Sequence, residues 1–147
     1  MEKTNELNKF LSYIHMGNSV FRIYYKEAKE LNDLALCELI IEIEEIFKKH
    51  EEKITHRINE LGETATNSLT AAGMMGYYKE KMRMYDSAFS ILTAAIKSTN
   101  MGLLSSLKFI KENIDLHYSV KGDLIEVVKD YNNIITKLVN YLIKMLN

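Results

Sequence analysis

The chain has 147 residues, a formal net charge of −1 at pH 7, one cysteine and no proline. A chain of this length forms one ordinary domain, and a lone cysteine excludes an intrachain disulfide framework and a four-cysteine metal cage. The near-neutral charge, without a stripe rich in lysine or arginine, argues against nucleic acid as a partner.

The scarcity of turn residues favours helices throughout the chain. No proline and only six glycines leave few residues for the turns of an all-β fold. The sequence contains no run of ~18 apolar residues, so it predicts no membrane span. The start of the chain is charged, whereas a signal peptide would be apolar there. We therefore expect a single all-α domain over residues 1–147, located in the cytoplasm.

The first predicted helix begins at Thr4 or Asn5 and runs to about Leu31. Its apolar residues recur at steps of three and four, which places them on one helical face. This stripe contains Leu7, Leu11, Ile14, Asn18, Phe21, Tyr25 and Ala28. The polar Asn18 interrupts the stripe near the middle of the helix, where four-helix bundles place metals and cofactors.

The second predicted helix follows a turn at Asn32-Asp33 and ends at Leu61-Gly62, where glycine suits a left-handed cap. Its stripe contains Leu36, Ile40, Ile43, Phe47, His50, Ile54, Ile58 and Leu61. His50 is the one histidine on a clear core stripe, again midway along the helix.

A short polar loop over 63–68 leads into helical patterning that continues from Leu69 to about Asn113. Asp86-Ser87 predicts a break, because both residues favour helix caps. The extra segment near 68–85 is a topological clue, because an up-down-down-up bundle needs a crossover between its second and third long helices. We therefore expect a ferritin-like antiparallel four-helix bundle with this extra helical crossover segment.

The last two long helices carry stripes of the same kind, separated by a connection over 115–122 with a start signal at Gly122-Asp123. The stripes contain Phe89, Leu92, Ile96, Thr99, Leu103, Ser106 and Ile110, then Leu124, Val128, Tyr131, Ile135, Leu138, Leu142 and Met145. Together with the first two helices they predict a polar core cluster of Asn18, His50, Thr99 and Tyr131.

A ferritin-like di-iron site needs a Glu from each of two helices and a Glu-x-x-His pair from each of the other two. The residue three positions before each histidine is Ser12, Phe47, Lys53 or Ile114, so no such pair exists. We expect no catalytic residues and no resident metal, with His50 and Glu51 as weak candidate ligands.

The histidines can also be interpreted without a metal. His50 could be a buried neutral imidazole bonded to a backbone carbonyl or to Asn18, or a pH-sensitive polar contact. His56 and Glu60 stand four apart and predict a surface ion pair. His15 and His117 are isolated, and we expect them at the surface or at its boundary.

The segment 71–78 combines small residues with methionine and tyrosine. One interpretation is tight packing of the crossover against the bundle; the other is a homodimer interface or an apolar ligand groove, because methionine and tyrosine are favoured in interface cores. Met75, Tyr78 and Met82 are the interface candidates. We expect a homodimer or other homo-oligomer, and binding of a different protein is an alternative.

Several short motifs resemble an uncharacterised bacterial family of the ferritin-like superfamily, over about residues 7–142. They are Leu7-Asn8, Gly17 with Phe21-Arg22, Glu60-Leu61-Gly62, Ser68-Leu69-Thr70-Ala71-Ala72-Gly73, and Tyr77-Tyr78. The resemblance implies a four-helix fold, and many relatives bind iron through carboxylates. This chain departs from the family's acidic positions at Asn18, at Thr99-Asn100 and over 131–133, so no metal ligand is carried over.

Two hypotheses for function follow. The first is a ferritin-like bundle without enzymatic activity, which binds a partner, itself or an apolar ligand. The alternative is an atypical metal-dependent oxidoreductase or iron-handling protein, with iron or manganese held by His50, Glu51 and further groups such as Glu27 and Glu30.

Overall fold

The structure is a computed structural model that describes residues 2–147, with side chains described from residue 6 onward. Five helices follow one another: α1 Glu2–Glu30, α2 Leu34–Glu60, α3 Ala71–Met82, α4 Ala88–Glu112 and α5 Tyr118–Leu146. Four of them have between 25 and 29 residues, which makes each about 40 Å long. The described residues form no strand, and the all-α prediction is confirmed.

The direction of α4 follows from its contacts with α1. Near the start of α1, the Phe10 ring lies 5.1 Å from that of Phe109, near the end of α4. Near the end of α1, the Tyr24 hydroxyl donates to the Ala94 carbonyl, near the start of α4, over 3.3 Å. The helices α1 and α4 are therefore antiparallel.

The same argument applies to α2 and α5. His50 Nε2 lies 2.8 Å from Asp130 Oδ2 in the middle of both helices, and the Tyr141 hydroxyl donates to Asp33 Oδ1 over 3.0 Å. Because α2 also runs against α1, the bundle is up-down-down-up. The connection that contains α3 returns the chain along the bundle, which is the crossover expected from the sequence.

Most helix boundaries follow local sequence signals. Asp33 Oδ1 accepts from the Leu36 amide, Ser87 forms a capping box with Ser90, and Gly62 has φ +78°. Three expected boundaries are wrong. The helix α1 begins at Glu2, Thr70 caps α3 by accepting from the Gly73 amide, and α5 begins at Tyr118 because the His117 side chain accepts from the Ser119 amide.

The core forms where the stripes meet, although parts of the predicted stripes lie elsewhere. Tyr24 is buried where the pattern suggested Tyr25, and α5 buries Val127 and Ile134 in place of their neighbours. The rotation of each helix about its axis is set by the helices packed beside it. Tertiary packing therefore decides whether the next buried residue comes three or four positions later. Predicted stripe members that are exposed are Leu61, Phe89 and Met145.

Candidate functional site

His50 lies at the centre of the bundle, between α2 and α5, and is 5% exposed. Its Nε2 donates to Asp130 Oδ2 over 2.8 Å, while no described group bonds to its Nδ1. The imidazole packs against the Tyr131 ring at 5.7 Å between centroids. Burial lowers the pKa of His50, and the Asp130 carboxylate opposes this. On balance the pKa of His50 is lowered, because a protonated ring would leave a second buried N–H, at Nδ1, without a partner.

Glu51 follows His50 but contacts a different helix. One carboxylate oxygen lies 2.6 Å from His15 Nδ1, and the other accepts a hydrogen bond from Asn18 Nδ2. Consecutive residues on a helix point about 100° apart, so His50 faces α5 while Glu51 faces α1. The two candidate ligands, His50 and Glu51, therefore point toward different helices.

His15 has a hydrogen-bond acceptor at both ring nitrogens. Besides the Glu51 carboxylate at Nδ1, the Thr66 carbonyl lies 2.7 Å from Nε2. A carbonyl and a carboxylate both accept hydrogen bonds, so this geometry favours the protonated ring, in which both nitrogens donate. The bond to Glu51 is the main cause of the raised pKa of His15. His15 lies at the boundary between core and surface, as expected, but the expectation that it is isolated is wrong.

The four residues of the predicted polar cluster are divided between two places. His50 contacts Tyr131, and Thr99 is buried with its hydroxyl donating to the Ala95 carbonyl of its own helix over 2.8 Å. Asn18 instead lies half-buried on the outer side of α1 and α2. His50 does not bond to Asn18, and its partner, Asp130, carries no signal in the sequence because it stands 80 positions away.

Charged pairs continue along the α2–α5 contact beyond His50. Arg57 Nε donates to Asp123 Oδ2 over 2.6 Å, and Lys53 donates to Glu126. His56 and Glu60 form the predicted surface pair at 3.0 Å. Within residues 6–147, no group of three His, Cys, Asp or Glu side chains is placed to hold a metal ion.

The α3 helix lies on α1, and glycine allows its close approach. A Cβ at Gly76 would stand 2.8 Å from Met16 Cε. The crossover therefore packs closely against the bundle on its glycine face, although none of the residues of α3 is fully buried. Met75, Tyr78 and Met82 share the opposite face at i, i+3 and i+7, and Met75 and Met82 are 75% and 83% exposed.

Comparisons with known proteins agree with this architecture. A solved structure of a Dps1 mutant from Mycobacterium smegmatis superposes with a TM-score of 0.77, covering 95% of this chain and 93% of that chain, at 17% sequence identity. No protein-family model matches the chain, and no curated protein matches it either. The ferritin-like four-helix fold predicted from the sequence is thereby confirmed.

Over residues 2–147, no helix combines the length and the apolar character needed to cross a membrane.

Proposed function

We propose that this chain is a ferritin-like bundle that acts through self-association and binding, without enzymatic activity and without a di-iron centre inside the subunit. The observation that carries the proposal is the outer face of α3. Large apolar side chains on a monomer surface are ordinary when scattered. Here Met75, Tyr78 and Met82 form one continuous face, and Met84, 90% exposed, follows directly.

The composition of this face suits a second protein surface. Methionine and tyrosine are enriched in the buried centres of interfaces, because they combine large apolar area with adaptable shape. The opposite side of α3 is anchored to α1 through Gly73 and Gly76, so the face is held in a fixed orientation. We propose a second copy of the chain as the occupant, giving a homo-oligomer.

The arrangement at the bundle centre supports a role without metal chemistry. A di-iron centre needs several carboxylates and imidazoles converging on one point. In this chain His50 is bonded to Asp130, and Glu51 is bonded to His15 and Asn18, on separate sides of α2. Each candidate ligand is thus engaged by a different neighbour.

Sedimentation velocity of Met82→Glu tests the self-association. A carboxylate in the centre of an apolar interface is costly to desolvate, so we expect this variant to sediment as a smaller species than the wild type. Tyr118→Glu is the matched control, because Tyr118 is 81% exposed at the start of α5, beyond the opposite end of α4. Equal sedimentation of wild type and Met82→Glu would refute the proposed interface.

Iron or manganese handling is the second candidate, favoured by the ferritin-like fold and by the His15–Glu51 pair on the outer side of the bundle. Elemental analysis of protein purified without chelator, repeated after Fe(II) addition and gel filtration, tests it. This candidate would be favoured if the wild type holds stoichiometric metal and His15→Ala or His50→Ala loses it. Metal content near zero in the wild type would reject it.

A further inference from the structure

A cavity of about 240 Å³ lies between α1, α3 and α4. Its inner wall is formed by Phe21, by Phe47 from α2 and by Tyr131 from α5, so the cavity reaches the centre of the bundle. An engineered apolar cavity of about 150 Å³ is sufficient to bind benzene. The volume here is therefore enough for a small organic molecule.

Glycines at the helix contacts make this room. Four glycines line the cavity: Gly17 on α1, Gly73 and Gly76 on α3, and Gly102 on α4. A Cβ at Gly102 would stand 3.5 Å from the Tyr131 ring, so a longer side chain at this position would extend into the cavity. Glycine inside a helix is unfavourable relative to alanine. Close packing explains Gly76, but a Cβ at Gly17 or Gly102 would make only ordinary contacts, at 3.8 and 3.5 Å.

The Tyr131 hydroxyl is the polar group at the inner end of the cavity. Tyr131 is 4% exposed, and none of the described side chains or backbone groups forms a hydrogen bond to its hydroxyl. Burial raises the pKa of Tyr131, so the phenol keeps its proton and can donate. Tyr131 borders the cavity, so this donor is open to an oxygen acceptor of a ligand bound there.

The opposite end of the cavity is positively charged. Lys79, Arg83, Lys97 and Glu80 line it, and Arg83 Nη2 lies 3.5 Å from Glu80 Oε1. Glu80 also accepts a hydrogen bond from the Tyr85 hydroxyl over 2.5 Å. Lys79 and Lys97 form no ion pair with any described side chain, so their charge is available to an anion.

We propose that this cavity binds a small amphipathic acid. An apolar ring or short chain would lie against Phe21 and Phe47, a terminal carboxylate would lie near Lys79 and Lys97, and an oxygen at the other end would accept from Tyr131. The site is separate from the outer face of α3, so the self-association proposal can fail while this one stands.

Isothermal titration calorimetry with para-hydroxyphenylpropionate tests the site, with phenylpropionate and propylphenol as probes that each lack one polar end. We expect the first probe to bind most tightly. Tyr131→Phe should weaken its binding about fivefold, the worth of one hydrogen bond, and should leave phenylpropionate unchanged.

Two further variants test the opposite end and the volume. Lys97→Gln should weaken both acids about threefold, less at high salt, and should leave propylphenol unaffected. Gly102→Leu should abolish binding of all three probes while circular dichroism shows an unchanged helix content.

Three results would overturn the proposal. One is the absence of binding by every probe at millimolar concentration. Another is binding that Gly102→Leu leaves intact, which would place the probes elsewhere on the surface. The third is an equal effect of Lys97→Gln on the acids and on propylphenol. The Lys97 variant keeps the test decisive if Gly102→Leu fails to fold, because Lys97 is exposed.

Discussion

Removal of the His15 side chain should destabilise the protein in a pH-dependent manner. The imidazolium connects three parts of the chain, because it lies on α1, bonds to Glu51 on α2 and bonds to Thr66 in the connection that precedes α3. In His15→Ala both acceptors lose a charged donor. Asn18 still bonds to Glu51, and water can reach the Thr66 carbonyl, so the loss is only partial.

The magnitude follows from the two bonds at His15. A hydrogen bond to a charged group contributes about 1.5–3 kcal/mol, and partial replacement by water reduces the combined loss to about 2 kcal/mol. For a domain of this size 1 kcal/mol corresponds to about 3 °C in Tm. We expect His15→Ala to melt about 6 °C below the wild type at mildly acidic pH.

The pH dependence has a definite sign. The pKa of His15 is raised above the ordinary value of 6.5, so the folded state holds the proton more tightly than the unfolded state. The contribution is fully present below pH 6.5 and is lost as the pH rises through the folded pKa. Thermal melts followed by circular dichroism should therefore show the gap between wild type and His15→Ala narrowing as the pH rises.

The control for His15→Ala is His56→Ala. His56 also faces a carboxylate, but its side chain is exposed and its pair with Glu60 lies on one helix, so its loss should cost under about 0.5 kcal/mol. A gap for His15→Ala that stays constant or widens toward alkaline pH would refute the argument that the ring is a cation.

Three further predictions concern the core, a helix cap and the buried histidine. Phe21→Ala should cost about 3–5 kcal/mol in a chemical denaturation experiment, because Phe21 is fully buried against Tyr24 and Phe47; a loss under 1 kcal/mol would contradict its place in the core. Ser87→Ala should cost about 1 kcal/mol by removing the capping box of α4, whereas an unchanged denaturation midpoint would exclude that role. The lowered pKa of His50 makes protonation easier in the unfolded state, so stability falls as the pH drops below 6.5, and His50→Phe should show a smaller fall in Tm on acidification.

The helices and several of their ends could be predicted because their causes are local. Asp33 and Ser87 cap the helices that follow them, and Gly62 has the left-handed φ that its position after α2 required. The crossover was also predictable, since a segment between the second and third long helices has to return the chain along the bundle. Such features depend on a few neighbouring residues, which one sequence displays directly.

The face that α3 turns toward the solvent could not be predicted in the same way. Its methionines and tyrosines have the spacing of a core stripe, yet the glycines on its other side pack against Met16 of α1. Whether an apolar stripe is buried depends on which neighbour lies beside it, and both faces of α3 could have served. Helical periodicity identifies a face but not its partner.

His50 and His15 show how inter-helix register determines the chemistry of a histidine. His50 stands on an apolar stripe and His15 does not, so the sequence favoured His50 as the functional imidazole. In the folded chain His15 gains acceptors at both nitrogens, from residues 36 and 51 positions away, whereas His50 gains one and leaves Nδ1 unbonded. The acceptors that the neighbouring segments supply favour the protonated form of His15, whereas burial favours the neutral form of His50. Since the acceptors and the burial depend on how α1, α2, α5 and the crossover are aligned, the charge state of each histidine is a property of the tertiary structure.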